Sequence, residues 1–277
     1  MNAPISASLT TAQARRQLLE AVAPVTGREV LPLREALGRI LAADVVAPHD
    51  VPAHDNSAMD GYAVRFDCLN PDGETDLAVV GTAFAGNAFS GIVGAGQAVR
   101  IMTGAVLPAG ADTVVVQELA RAAGIRVVVP AGQKRGNNTR RAGEDLARGQ
   151  VAVAAGKRIG AAELGLIGSL GFAEVTVRRR LKVAFFSTGD EIASIGQPLA
   201  PGQIYDSNRY TLYGLLSSLG AEIIDLGVVR DRPEDLEAAL REAAGTADAI
   251  ITSGGVSVGE AAFVREILAR LGEVKFW

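Results

Sequence analysis

Apolar positions along this chain change period twice. From Thr10 and Thr11 onward, Ala14, Leu18, Leu19 and Val22 recur at helical spacing. Leu33, Ala36, Leu37, Ile40 and Leu41 repeat an i, i+3, i+4, i+7, i+8 pattern that predicts a second helix. Pro48 and Pro52 break that pattern. Short β-type runs follow: Leu77–Val80, Ala98–Met102, Thr113–Gln117 and Ile125–Val129, separated by Gly, Pro, Asn and Asp. A helical stretch is expected at Ala161–Leu170 and a strand at Ala173–Arg178. Beyond Leu181 strands and helices alternate: strand Lys182–Ser187, helix Ser207–Leu219 ended by Gly220, strand Glu222–Val229, helix Pro233–Ala244, strand Asp248–Thr252, helix Glu260–Leu271 and a strand starting at Val274–Trp277. Such alternation implies a parallel sheet flanked by helices.

Three regions result. Residues 1–48 with 151–180 are expected to form a helical, elongated domain, 49–150 a β-rich module, and 181–277 an α/β domain. A last strand through Phe276 and Trp277 would leave an apolar sheet edge, so the α/β domain is expected to be incomplete.

Composition narrows the partners. Hydrophobic residues make up 48% and charged residues 21% of 277, enough for a sizeable core. A net charge of −4 speaks against nucleic acid. No signal peptide and no apolar stretch of membrane-spanning length stand out, so a cytoplasmic protein is expected. One cysteine, Cys68, and two histidines, His49 and His54, exclude an intramolecular disulfide and speak against a zinc site.

Candidate chemistry lies in the loops. Ligands of open α/β sheets bind at the carboxyl ends of the strands. Two loops are expected there: Ser187-Thr188-Gly189-Asp190-Glu191, and Thr252-Ser253-Gly254-Gly255-Val256-Ser257-Val258-Gly259-Glu260. The glycines let backbone N–H groups converge on a phosphate and the serines add hydroxyls; a plain tight turn explains the same residues. Asp231, after a third strand, either faces that crevice or caps the helix starting at Pro233. Carboxylates beside a phosphate would repel it unless a cation such as Mg²⁺ stands between them. In the β-rich module Met59-Asp60-Gly61-Tyr62 reads as an acid displayed on a turn. Thr103 ends a strand, and Gly143-Glu144-Asp145 displays a second acid pair beside Arg140 and Arg141. Gly94-Ala95-Gly96 lacks the third glycine and the strand–helix context of a dinucleotide fingerprint.

Seven peptides in order, DNSAMDGYAVR (55–65), IMTGA (101–105), GADTVVVQE (110–118), GED (143–145), STGDE (187–191), IYDSNR (204–209) and TSGGVSVGE (252–260), resemble the molybdopterin molybdenumtransferases of the MoeA type, relatives of the gephyrin E domain. The resemblance covers the chain from about residue 8 onward. It implies a helical linker region, a mostly β module and a truncated, MogA-like three-layer α/β domain with a mainly parallel sheet. It implies insertion of molybdate into adenylated molybdopterin with release of AMP, assisted by Mg²⁺. It also implies a homodimer whose active site lies between the α/β domain of one subunit and the β module of the other, with other molybdenum cofactor biosynthesis proteins as further partners. By motif, Asp60, Thr103, Asp145, Glu191 and Asp231 would be catalytic, and Glu191 and Asp231 would hold the metal. Ser187, Thr188, Gly189, Asp190, Ser253, Gly254, Gly255, Ser257, Gly259 and Glu260 would bind substrate.

Two departures qualify the match. Ala262 stands where the family has Asp, and the family's downstream PGKP and GLPGNP segments are not in the sequence. The chain is therefore expected to bind substrate but not to insert molybdate. Two alternatives stay open. One is an impaired homologue acting as a binding or dimerisation module. The other is a molybdopterin adenylyltransferase, against which Val256–Glu260 and the β-rich module argue.

Overall fold

A computed structural model describes residues 9–254 and 263–274. In chain order the first elements are α1 (Thr11–Ala21), β1 (Arg28–Pro32), β2 (Val45–Val46), β3 (Asn56–Ser57), β4 (Gly61–Val64), β5 (Thr75–Ala83), β6 (Gln97–Ile101), β7 (Thr113–Val116), β8 (Arg121–Ala123), β9 (Arg126–Val129), β10 (Thr139–Arg140) and β11 (Val151–Val153). There follow α2 (Ala161–Ser169), β12 (Glu174–Arg178), β13 (Lys182–Thr188), β14 (Ile192–Ala193), β15 (Ile204–Tyr205), α3 (Ser207–Leu219), β16 (Glu222–Val229), α4 (Pro233–Thr246), β17 (Ala249–Ser253) and α5 (Phe263–Leu271). They form two compact units: residues 43–157 with 161–173, and residues 9–42 with 158–160 and 174 onward.

The first of these units is built on a six-stranded sheet in the order β7-β4-β6-β5-β9-β8, antiparallel except for the parallel pair β5·β6. Strand β4 sits inside it with all four residues buried. Successive side chains of a strand point to opposite faces, and here both faces are covered. Tyr62 and Val64 pack with Leu77, Ala98 and Val115, while Ala63 packs with Ala83, Val99 and Val114. A Cβ on Gly61 would overlap the Val115 carbonyl, so only glycine opens this strand. The displayed-turn reading of residues 59–62 holds for Met59 and Asp60 and fails for Gly61 and Tyr62, which are core.

The second unit corrects the helix expected over Leu33–Leu41. Only one 3₁₀ turn, Leu33–Ala36, forms there. Gly38 takes a left-handed φ of 79°, its N–H donates to the Ile159 carbonyl, and Ile40 and Leu41 bridge to Arg158 and Val177. The apolar spacing marked no single buried face: Ala36 and Leu41 are buried, whereas Leu37 is 56% exposed. β1, hidden before this stretch, pairs antiparallel with β12. Helix α1 does form, opened by a capping box between Thr10 and Gln13.

The α/β part of this unit is a parallel sheet in the order β16-β13-β17, as the alternation implied. Central β13 is buried from Val183 to Thr188, as expected when both faces are covered. Val183 and Phe185 meet Leu212 and Leu216 of α3 on one face. Phe186 meets Leu236 and Leu240 of α4 and Ile267 of α5 on the other. Of the expected helix Glu260–Leu271 and strand Val274–Trp277, the residues before Phe263 and after Val274 lie outside those described.

Candidate functional site

The strand order puts the topological switch between β13 and β17, where Ser187 pairs with Ser253 in register. The polar groups gathered at that edge are unusual. Ser187 and Thr188 are buried, yet Ser187 Oγ and Thr188 Oγ1 have no hydrogen-bond partner among the described residues. The Oδ1 atom of Asp231, in the loop after β16, is also buried and unpartnered. Buried polar atoms are normally satisfied, so orphans clustered at a sheet's ligand edge mark a place for a ligand, ion or water.

Backbone geometry shapes the same edge. Gly254 has φ +104°, and a Cβ there would overlap the Thr188 carbonyl oxygen, so the ends of β13 and β17 meet backbone to backbone. Gly189 has φ +144°, and the Glu191 carboxylate folds over it in the space a Cβ would take. Glu191 and Asp190 are exposed. Ser253 accepts a 3.0 Å hydrogen bond from Asn208 Nδ2 in the first turn of α3. Gly255, Ser257, Gly259, Glu260 and Ala262 lie outside the described residues.

The β-rich unit holds a separate acid cluster. Oδ1 of Asp60 accepts two 2.8 Å hydrogen bonds, from the backbone N–H and the hydroxyl of Thr103. The backbone donor, then the hydroxyl, then the nearby Arg100 charge hold this carboxyl below the usual carboxylate range. Arg100, opposite Tyr62 on β6, donates to the Tyr62 hydroxyl at 3.1 Å and to Gln117 Oε1 at 2.9 Å. Arg140 bonds Glu144 at 2.5 Å and Asp145 at 2.6 Å. Glu144 is held low chiefly by the Arg141 N–H and then by Arg140.

Three distant segments are tied together here. β3 pairs with β10, Ser57 N–H donates to the Ala105 carbonyl, and Asp55 Oδ1 accepts from the Ala142 N–H at 2.8 Å. Asp60 and Thr103 thus form one hydrogen-bonded pair, while Asp145 belongs to the loop anchored beside it.

Sequence reasoning passed over three contributors, Asp206, Asn208 and Arg100, and took Arg140 only as a cation beside the acid pair. Asp206 and Asn208 sit in the quoted IYDSNR peptide. A signal was available, because an Asp directly before a predicted helix is a cap. Capping uses one oxygen only.

Two family models match the chain. Residues 9–171 match the family model described as the MoeA N-terminal region (domain I and II), and residues 184–277 match the one described as a probable molybdopterin binding domain. The chain is 46% identical over 270 residues to a molybdopterin molybdenumtransferase from Haemophilus influenzae, covering 97% of this chain and 66% of the relative. It is 43% identical over 247 residues to a molybdopterin molybdenumtransferase from Nostoc, covering 88% of this chain and 57% of that protein. It thus spans about two thirds or less of these curated relatives' length. Among solved structures, a molybdopterin biosynthesis MoeA protein from Pyrococcus horikoshii aligns with a TM-score of 0.82 at 34% identity, over 97% of this chain and 68% of that one.

Proposed function

The chain belongs to the MoeA family, matched over more than half its length, and from that premise we propose that it serves molybdenum cofactor biosynthesis by binding adenylated molybdopterin for the insertion of molybdate, with release of AMP. One observation carries the reading: the unpartnered buried oxygens of Ser187, Thr188 and Asp231 at the carboxyl edge of the parallel sheet. A site already satisfied by its own side chains would have nothing to offer a ligand.

In this reading Ser187, Thr188, Gly189, Asp190, Ser253 and Gly254, with Gly255, Ser257, Gly259 and Glu260, form the substrate edge. Glu191 and Asp231 act there. Asp60, Thr103 and Asp145 supply the acid–base and positioning groups. Asp60, held ionised and anchored through a single oxygen, keeps Oδ2 free to accept a proton or orient a ligand.

The residues fit Mg²⁺. Asp231 offers a buried unpartnered oxygen beside the exposed Glu191 loop, and hard oxygen donors suit this ion. Among the described residues no cluster of three or more His, Cys, Asp or Glu groups is assembled for a metal. Glu191 and Asp231 would therefore hold the ion together with water and substrate phosphate oxygens, as Mg²⁺ usually binds. When bound, it would neutralise charge as the phosphoanhydride of the adenylate breaks.

The protein acts in the cytoplasm as a homodimer, each active site joining the α/β edge of one subunit to the acid cluster of the other. Support comes from α1, which carries no buried residue and exposes Leu18, Leu19 and Val22 at 53%, 63% and 65%. Other molybdenum cofactor biosynthesis proteins are its further partners, and the working division is 1–48 with 151–180, 49–150 and 181–277. Among the described residues no helix is long and apolar enough to cross a membrane.

The test is a titration of the chain with adenylated molybdopterin. AMP release on adding molybdate and Mg²⁺ is then followed in a fusion carrying the part of the Haemophilus influenzae relative that this chain does not span. Saturable binding and molybdate-dependent AMP release are expected. An absence of binding by the chain would sink the reading.

A further inference from the structure

Among the described residues Asp206 is the most deeply placed carboxylate of the α/β part, 3% exposed. It caps α3: Oδ1 accepts from the Arg209 N–H at 3.1 Å, and its own N–H donates to the Ala193 carbonyl. Its second oxygen, Oδ2, is buried with no donor among the described residues. The nearest cation in sequence does not help. The Arg209 guanidinium is held by both oxygens of Asp225 at 2.9 Å. Capping therefore accounts for one oxygen of this carboxylate and leaves the other buried without a donor among the described residues.

A matching donor lies on the same face of the sheet. Side chains alternate along a strand, so Ser187 shares the α3 face with Val183 and Phe185, which pack on Leu212 and Leu216. Ser253 shares that face with Ala249 and Ile251, and Asn208 from the first turn of α3 fixes it. The carboxyl edge on the α3 side thus presents a buried, unpartnered hydroxyl (Ser187) and a buried, unpartnered carboxylate oxygen (Asp206), both more than nine-tenths buried. A phosphate does not suit this pair, because Asp206 would repel it. A ring edge that carries N–H beside C=O does suit it.

We propose that Asp206 Oδ2 and the Ser187 hydroxyl read the amide edge of the pterin ring, Asp206 accepting from ring N–H and Ser187 donating to the ring carbonyl. Asp206 is then a specificity-determining residue of the substrate site, and the proposal rests on the substrate reading above. Adenine of the same substrate also sets an amino donor beside ring-nitrogen acceptors but has no ring N–H beside a carbonyl, so AMP is the competing probe for this pair.

Asp206→Asn separates recognition from folding. Asn caps helices as well as Asp does. With its oxygen kept on the Arg209 N–H, the variant turns an amino group toward the ring N–H, donor against donor. Binding of 6-hydroxymethylpterin and of AMP is measured on the purified chain by NMR titration, beside the melting temperature. Expected are wild-type pterin binding, a loss of roughly tenfold or more in Asp206→Asn and a smaller loss in Ser187→Ala, an unchanged AMP affinity, and a melting shift within about 2 °C. If Asp206→Asn binds the pterin as wild type does, the inference fails and the substrate reading stands. Loss of AMP rather than pterin affinity assigns the edge to adenine and overturns it. A wild-type chain that binds neither probe removes both this inference and the substrate reading.

Discussion

Asp60 gives both Thr103 donors the same oxygen. That arrangement fixes the carboxylate without using it up, and it sets the sign of the pH response. A carboxyl held low by hydrogen bonds stays ionised as pH falls, so the acidic limb of molybdate-dependent AMP release in the fusion should lie below the normal Asp range. Thr103→Val removes the hydroxyl donor, keeps the backbone donor, and should move that limb to higher pH; a pH–rate profile decides it. Asp60→Asn retains an oxygen for Thr103 but loses the charge. Turnover should drop at least ~10-fold with a melting shift within about 2 °C, and unchanged turnover would take Asp60 off the catalytic roster. Asp206 shows the limit of residue-level reading: its place before a helix announces the cap, while the burial of its other oxygen depends on how the chain around Ala193 returns to the sheet.

At the level of elements, the end of β13 is locked to the loop after β17 by contact rather than by side chains. Gly254→Ala would press a methyl into the Thr188 carbonyl at a left-handed φ, costing on the order of 1–3 kcal/mol by chemical denaturation and weakening substrate binding together with stability. A second link joins β17 to the segment before β13. Arg179 donates to both oxygens of Asp248 at 2.6 and 2.7 Å, and Lys182 N–H adds a third donor at 2.9 Å. These donors, Arg179 first, hold Asp248 well below the carboxylate range. A depressed carboxyl contributes stability that is fully present above its unfolded pKa, about 4, and is lost as pH falls through its folded value. Wild type should therefore melt above Arg179→Ala at neutral pH, and the gap should close in acid; a constant gap would remove the ion pair from the explanation. The sequence reveals such elements unevenly. Helix α3 runs from Ser207 to Leu219 as its pattern predicts, because a cap and a left-handed Gly220 bound it. Leu33–Leu41 imitates a helix through spacing alone. β4 is concealed because its two covered faces erase the alternation that would betray a strand, and β1 because only a partner almost 150 positions away, β12, makes it one.

For the molecule as a whole, a homodimer is the expected species in sedimentation at micromolar concentration. A clean monomer with native secondary structure would count against a shared active site. Most of the architecture follows from local pattern: the α/β alternation is written in order along the chain. The acid cluster is not, because its members come from segments that nothing local relates: 43 positions part Asp60 from Thr103, and 87 part Asp55 from Ala142. That spread also sets an order in time. Bringing the ends of a longer loop together costs more chain entropy, and a topology dominated by distant pairings is slow to complete. The Ala142 amide should therefore gain protection in pulsed hydrogen exchange after the amides of β4 and β6 during refolding. A nascent or partly refolded chain would carry its sheet before its acids, and its acid cluster would stay unassembled until the last of those loops had closed.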